Sequence, residues 1–173
     1  MGYYGARPLL FQPQNSDILI EGFEEDPSGG LPIAGLYTTL SNAGSSGSVD
    51  RTTSHVTQGT YSYRLQGAIA EVVYLDLEQF DLTPIIAVPT QVKIDVYVQT
   101  INVIDEVFFY ASDSLGGFDL LTSTGTTGAF TLTLPFATVN DFTTIAISVG
   151  VTGPLGAPLT SAADVYFDNL RGS

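Results

Sequence analysis

The stretch from Gln91 to Gln99 reads QVKIDVYVQ, and its residue types alternate strictly. Val92, Ile94, Val96 and Val98 fall on one side, and Lys93, Asp95, Tyr97 and Gln99 on the other. Successive side chains point to opposite faces only in an extended chain, so this pattern describes a half-buried antiparallel strand. The stretch TTIAISVGV repeats it with Ile145, Ile147, Val149 and Val151. No long stretch places apolar residues at helical spacing. Further strands are expected over 17–23, 32–40, 47–56, 59–66, 70–78, 104–112, 128–134 and 164–170. Residues 121–133 read as a Thr/Gly-rich loop feeding a strand. Asp26-Pro27-Ser28-Gly29-Gly30 and Gly153-Pro154-Leu155-Gly156 are sharp breaks between these runs. Short strands at such spacing, with no helix to cover a sheet, imply an all-β, two-sheet antiparallel sandwich.

At 173 residues the chain suits one domain with a real core. Residues 1–16 stand apart as an extended N-terminal arm, and 17–173 form the sandwich. The arm is broken by Pro8 and Pro13 and carries Tyr3, Tyr4, Leu10 and Phe11; it is expected either to pack irregularly on its own domain or to contact another subunit through these residues. Charged residues are only 13%, so Thr, Ser, Asn, Gln and Gly must supply the polar surface. Net charge is −13, with Arg7, Arg51, Arg64, Lys93 and Arg171 the only cations. Nucleic acid is excluded as a partner, because binding it requires clustered cations. An anionic membrane surface is disfavoured for the same reason. Cysteine is absent, which removes disulfides, thiolate metal sites and thiol nucleophiles. No apolar run is long enough to span a bilayer, and the start lacks the pattern of a secretory leader.

Three segments in order carry a family resemblance. Leu19-Ile20-Glu21-Gly22-Phe23-Glu24 resembles an opening strand, and Ser54 to Leu65 (SHVTQGTYSYRL) a turn and strand. Val165-Tyr166-Phe167-Asp168-Asn169-Leu170 resembles a closing strand. Together they are similar to the carbohydrate-binding-module, galactose-binding-like type of β-jelly roll, over roughly residues 17–171. The resemblance implies that the first and last strands pair. It also implies a structural calcium held by Glu24, Asp168 and a backbone carbonyl of the Thr57–Gly59 turn. Calcium takes oxygen ligands of these kinds. Asp168 equally suits a carboxylate that accepts backbone N–H groups in a corner, and Glu24 a solvated acid beside Glu25 and Asp26.

Sugar-binding surfaces stack aromatic rings on the apolar faces of sugars. Trp is absent, but Tyr61, Tyr63, Tyr74, Tyr97 and Tyr110 lie in expected strands. Tyr97, with Asp95 and Gln99 on the same face, is the candidate ligand surface. Tyr61 and Tyr63 alternate with Leu65 and belong to the core. Catalysis is not expected: His55 is the single histidine, and no nucleophile elbow or phosphate loop is present.

Two functions follow as expectations. One is a non-catalytic structural protein of a virus particle, a phage capsid decoration or a head- or tail-associated protein. It would self-associate, as a trimer or other oligomer, contact a capsid or tail protein, and assemble in the host cytoplasm. The initial Met, the absent export signal, the apolar arm and a surface poor in charge motivate it. The other is a carbohydrate-binding module of a secreted enzyme or adhesin, extracellular and bound to glycan.

Overall fold

The computed structural model describes residues 17–24, 39–41 and 47–173, with backbone alone for 39–41, 78 and 79. The strands are β1 (Ile18–Glu21), β2 (Thr39–Ser41), β3 (Ser48–Thr52), β4 (Ser62–Gly67), β5 (Val73–Phe80) and β6 (Gln91–Thr100). They continue with β7 (Glu106–Ser112), β8 (Phe118–Thr124), β9 (Gly128–Pro135), β10 (Ile145–Thr152) and β11 (Ala163–Gly172). A single 3-10 turn, Pro154–Gly156, occupies the second of the two expected breaks. Two antiparallel sheets result. One runs β3-β4-β11-β6-β9, with β1 also on β11; the other runs β2-β5-β10-β7-β8. The fold is an all-β jelly-roll sandwich.

Alternation builds the core. Val92, Ile94, Val96 and Val98 of β6 face Ile145, Ile147, Val149 and Val151 of β10 across the interior, and all eight are buried. Tyr63, Leu65, Val165 and Phe167 fill the six-stranded side, and Val73, Leu75, Leu77, Val107 and Phe109 the five-stranded side. Phe23, just past β1, is fully buried with its ring 5.0 Å from Tyr63. Tyr61 is only half-buried and lies under the Arg51 guanidinium at 4.2 Å, so it is not a core residue as the alternation suggested.

The first and last strands pair, as the resemblance implied: Ile18 opposes Gly172 and Glu21 opposes Leu170. On the same edge of β11, β4 pairs earlier, Ala163 against Gly67 through Phe167 against Tyr63. Between these two partners β11 shifts register after Asp168, and Asn169 takes a left-handed φ of 55°. The Asp168-Asn169 corner is therefore a bulge where one neighbour hands over to another.

Two further expectations need correction. Residues 121–124, the start of the expected loop, belong to strand β8 (Phe118–Thr124). It is an edge strand with Phe118, Leu120 and Thr122 exposed, while its inner side carries Asp119, Leu121 and Ser123. Apolar residues outside and mixed residues inside invert the usual alternation, which hid it. The strand expected over 47–56 stops at Thr52. Residues 53–59 instead fold over the outer face of the six-stranded sheet, using left-handed φ values at His55 (55°) and Gly59 (74°). Residues 1–16, and with them Tyr3, Tyr4, Leu10 and Phe11, lie outside the described residues, as do 25–38.

Candidate functional site

The outer face of the five-stranded sheet is a trough. Its floor is β10, whose outward positions are all small: Ala146, Ser148, Gly150 and Thr152. Register places Tyr74 on one side of Gly150 and Phe108 on the other. The next row runs Asp76, Ser148, Tyr110 and Leu120. The row after that runs Ala146, Ser112 and Phe118. Val72, Tyr74, Asp76, Phe108, Tyr110, Ser148, Thr152 and Gly156 enclose a depression of about 360 Å³. The far wall is apolar and open, with Phe118 59% and Leu120 55% exposed and the Tyr110 and Phe118 rings 6.4 Å apart.

Gly150 explains how the walls close over the floor. A β-carbon there would sit 2.5 Å from the Val73 carbonyl oxygen, 2.6 Å from Tyr74 Cβ and 2.7 Å from Phe108 Cε1. The two aromatic residues thus occupy space that any side chain at 150 would need. A flat floor flanked by rings accepts molecules with an apolar face and a polar rim, which describes a sugar ring. From Ala146 to Thr152 the floor spans roughly 20 Å of extended chain at about 3.4 Å per residue, with Gly150 and Thr152 buried toward one end. The strands of this sheet carry Asp76, Glu78, Glu106 and Asp119 and no Lys or Arg. Among the described residues of these strands a polyanionic chain would meet only like charge.

The opposite face holds the residues singled out from sequence. Asp95, Tyr97 and Gln99 do share the outer face of β6, but Asp95 is already engaged. Arg171 Nη2 (2.9 Å) and the Thr131 hydroxyl (2.8 Å) donate to its Oδ1, and Asn169 Nδ2 (2.8 Å) to its Oδ2. Burial opposes its charge, yet the bonds from Arg171, Asn169 and Thr131 hold its carboxyl below the ordinary range. Gln99 Oε1 accepts from the Tyr166 hydroxyl at 3.2 Å. One face of Tyr97 is covered by the His55 ring, stacked at 3.5 Å and 10°, with Tyr166 edge-on to His55 at 4.5 Å. A groove of about 440 Å³ opens beside this stack, lined by His55, Val56, Thr57, Asp95, Val96, Tyr97, Ala129, Phe130 and Thr131. Gln99 is not part of it.

Glu24 and Asp168 both reach the loop that crosses this face. Asp168 accepts N–H groups of Thr57 (2.6 Å), Gln58 (2.8 Å) and Asn169 (2.7 Å). Burial nonetheless pushes its carboxyl up, against those bonds. Glu24 Oε1 accepts the N–H groups of Thr60 (2.8 Å) and Tyr61 (3.1 Å) and lies against Gly59. Gln58 Oε1 is buried without a hydrogen-bond partner, close to Gly22. Two carboxylates and an uncompensated amide oxygen are hard donors that fit a calcium ion. No cluster of three or more acidic or histidine side chains suited to a metal occurs among the described residues.

The sequence places Tyr74 and Tyr110 in strands but does not by itself reveal the trough. The available signal was the set of small residues at every outward position of TTIAISVGV, which marks a floor only once its neighbouring strands are known.

No family model matches the chain, and no curated protein matches it in sequence. Solved structures match in fold. The family 11 carbohydrate-binding module of the cellulosomal cellulase Lic26A-Cel5E of Clostridium thermocellum superposes with a TM-score of 0.56 at 10% identity, covering 91% of this chain and 94% of that one. TmCBM61, in complex with β-1,4-galactotriose, gives 0.54 at 14% identity, covering 88% and 98%. A family 30 carbohydrate-binding module gives 0.53 at 14%, covering 92% and 88%. In another match, to a carbohydrate-binding module of the β-sandwich superfamily, the chain spans 61% of the matched length. The fold is that of the carbohydrate-binding-module type of β-jelly roll.

Proposed function

We propose that the chain is a non-catalytic carbohydrate-binding module that lays a neutral polysaccharide along β10. The observation that carries this reading is the Tyr74–Gly150–Phe108 row, in which the floor residue is reduced to hydrogen so that two rings can flank it. Rigid aromatic walls bind sugar faces at small entropic cost. The Ser148 and Asp76 side chains provide polar groups for sugar hydroxyls. An extracellular setting goes with this function. The alternative of a virus-particle protein rests on composition and on residues 1–16, whereas the glycan reading rests on a shaped surface and on structural neighbours that are carbohydrate-binding modules.

Affinity electrophoresis tests it. Migration should be retarded in gels containing mixed-linkage β-1,3-1,4-glucan or β-1,4-galactan, and unchanged with a polyuronate. Tyr74→Ala and Tyr110→Ala should abolish the retardation while leaving the fold intact by circular dichroism. Unretarded migration of the parent protein with every neutral polysaccharide would refute the reading. The absence of Trp allows tyrosine fluorescence to report the same contacts.

Calcium belongs to the same proposal as a structural element. Glu24, Asp168 and a backbone carbonyl of the Thr57–Gly59 turn would hold the ion, with the buried, unpartnered Gln58 Oε1 as a further oxygen ligand. Its effect would be to fasten residues 53–59 to the β11 corner, away from the trough.

A further inference from the structure

We infer that the groove beside Tyr97, on the sheet opposite the trough, is a second and independent carbohydrate-contact site that takes one ring of a neutral glycan. The inference builds on the glycan reading and extends it to the other face. Tyr97 is paired with Tyr166 on β11 and with Ala129 on β9. His55 packs within 4.5 Å of Tyr166, so it covers the Tyr166 side of the Tyr97 ring. The groove opens between residues 55–57 and β9, where Ala129 is the smallest side chain on that stretch. Its 440 Å³ falls in the range of about 300–1,000 Å³ common for small-ligand sites.

The wall is pre-organised. His55 holds a left-handed backbone and stacks flat on Tyr97, which fixes the ring before any ligand arrives. Affinity then loses little to ordering the side chain. The polar rim is oriented as well. The Thr131 hydroxyl donates to Asp95 Oδ1, and the Thr57 hydroxyl lies 3.1 Å from Asp95 Oδ2. A hydroxyl that donates inward keeps lone pairs for an incoming sugar hydroxyl. One ring face, two aligned hydroxyls and a small-residue floor suit a single pyranose rather than an extended chain. Sheets in a sandwich stack about 10 Å apart, and the two sites lie on their outer faces, so one sugar cannot touch both. A module with both sites would hold two glycan chains at once.

The test is a two-dimensional NMR titration of the full chain with the mixed-linkage β-1,3-1,4 tetrasaccharide and with β-1,4-galactotriose. Two separate sets of amide shifts are expected, one over Tyr74, Phe108, Tyr110 and Gly150, the other over Tyr97, Ala129 and Thr131. Tyr110→Ala should remove the first set only. Ala129→Leu, at an exposed position that leaves the His55–Tyr97 stack in place, should remove the second set only. Trough shifts without groove shifts at saturation would overturn this inference and leave the proposed function standing. Groove shifts without trough shifts would support the groove and overturn the trough. No shifts at either place would overturn both.

Discussion

Gly150→Ala adds one carbon to the trough floor, and the structure says what that carbon meets. Its three nearest neighbours would lie at 2.5, 2.6 and 2.7 Å, where carbon contacts normally sit at about 3.5–4.0 Å. One of the three is the Val73 carbonyl oxygen, and another is the β-carbon of Tyr74, so neither can swing away as a long side chain would. Relief requires β5 to move away from β10 or the Phe108 ring to tip outward. Overpacking of this kind costs about 1–3 kcal/mol. For a chain of this size that is a drop in melting temperature of roughly 2–12 °C. The moved groups are the trough walls, so glycan affinity should fall at least about tenfold, equivalent to roughly 1.4 kcal/mol. Isothermal titration with the polysaccharide that retards the parent protein measures that loss, and differential scanning calorimetry measures the stability. Ile147→Val is the control: it trims the buried side of the same strand, costs about 0.5–1.5 kcal/mol, and should leave affinity unchanged. If Gly150→Ala lowers stability but binds as tightly as the control, the trough is not the binding surface.

Phe23→Ala should cost about 3–5 kcal/mol by chemical denaturation, because the ring is fully buried against Tyr63; a loss below about 1 kcal/mol would remove Phe23 from the core. Chelator should lower the melting temperature and added calcium restore it by mass action, with Asp168→Ala abolishing the response; identical melts with and without chelator would end the calcium proposal. Acid should destabilise the fold. Asp95, Asp113, Asp119 and Asp141 titrate below their ordinary range when folded, Asp141 at about 2, so their stabilisation is complete above about pH 4 and is lost as pH falls through those values. Asp168 has the opposite sign, since its raised value means that protonation relieves a cost. A melting temperature that stays constant from pH 6 to about pH 2.5 would contradict the balance of these groups.

Legibility of the fold from sequence followed burial. Strands β6 and β10 have one face in the core and one outside, and their residue types say so directly. β11 was found through its closing motif. β8 is hidden in the sequence because its outer face, with Phe118 and Leu120, is the more apolar one. The path of residues 53–59 was invisible because it depends on partners far along the chain: Thr57 meets Asp95 and Asp168, from β6 and β11. The same distance effect applies to the site. Tyr97 and Asp95 were correctly placed on one face, but nothing local reveals that His55 stacks on the first or that Arg171 and Asn169 occupy the second. Gly150 reads as a weak point in a strand until its neighbours are known.

The large acidic excess acquires a meaning from the same contacts. A sandwich made of strands and long connections leaves many turn N–H groups without a ladder partner, and buried ones must be satisfied. Carboxylates do this repeatedly here. Asp113 accepts from Leu115, Gly117, Asn140 and Asp141, and so ties two loops together. Asp119 accepts from Ala137, Thr138 and Val139, and Asp105 from Thr160 and Ser161. Four of the five cations in the chain lie on the six-stranded sheet. Arg64 pairs with Asp164, Lys93 with Asp17, and Arg171 with Asp17 and Asp95. Arg51 Nη1 donates to the Glu24 carbonyl and its guanidinium covers Tyr61. Charge is thereby spent on holding loops and one sheet face in place. Among the described residues the outer face of the five-stranded sheet carries aromatic rings, small residues and the carboxylates of its strands, and no Lys or Arg lies on those strands.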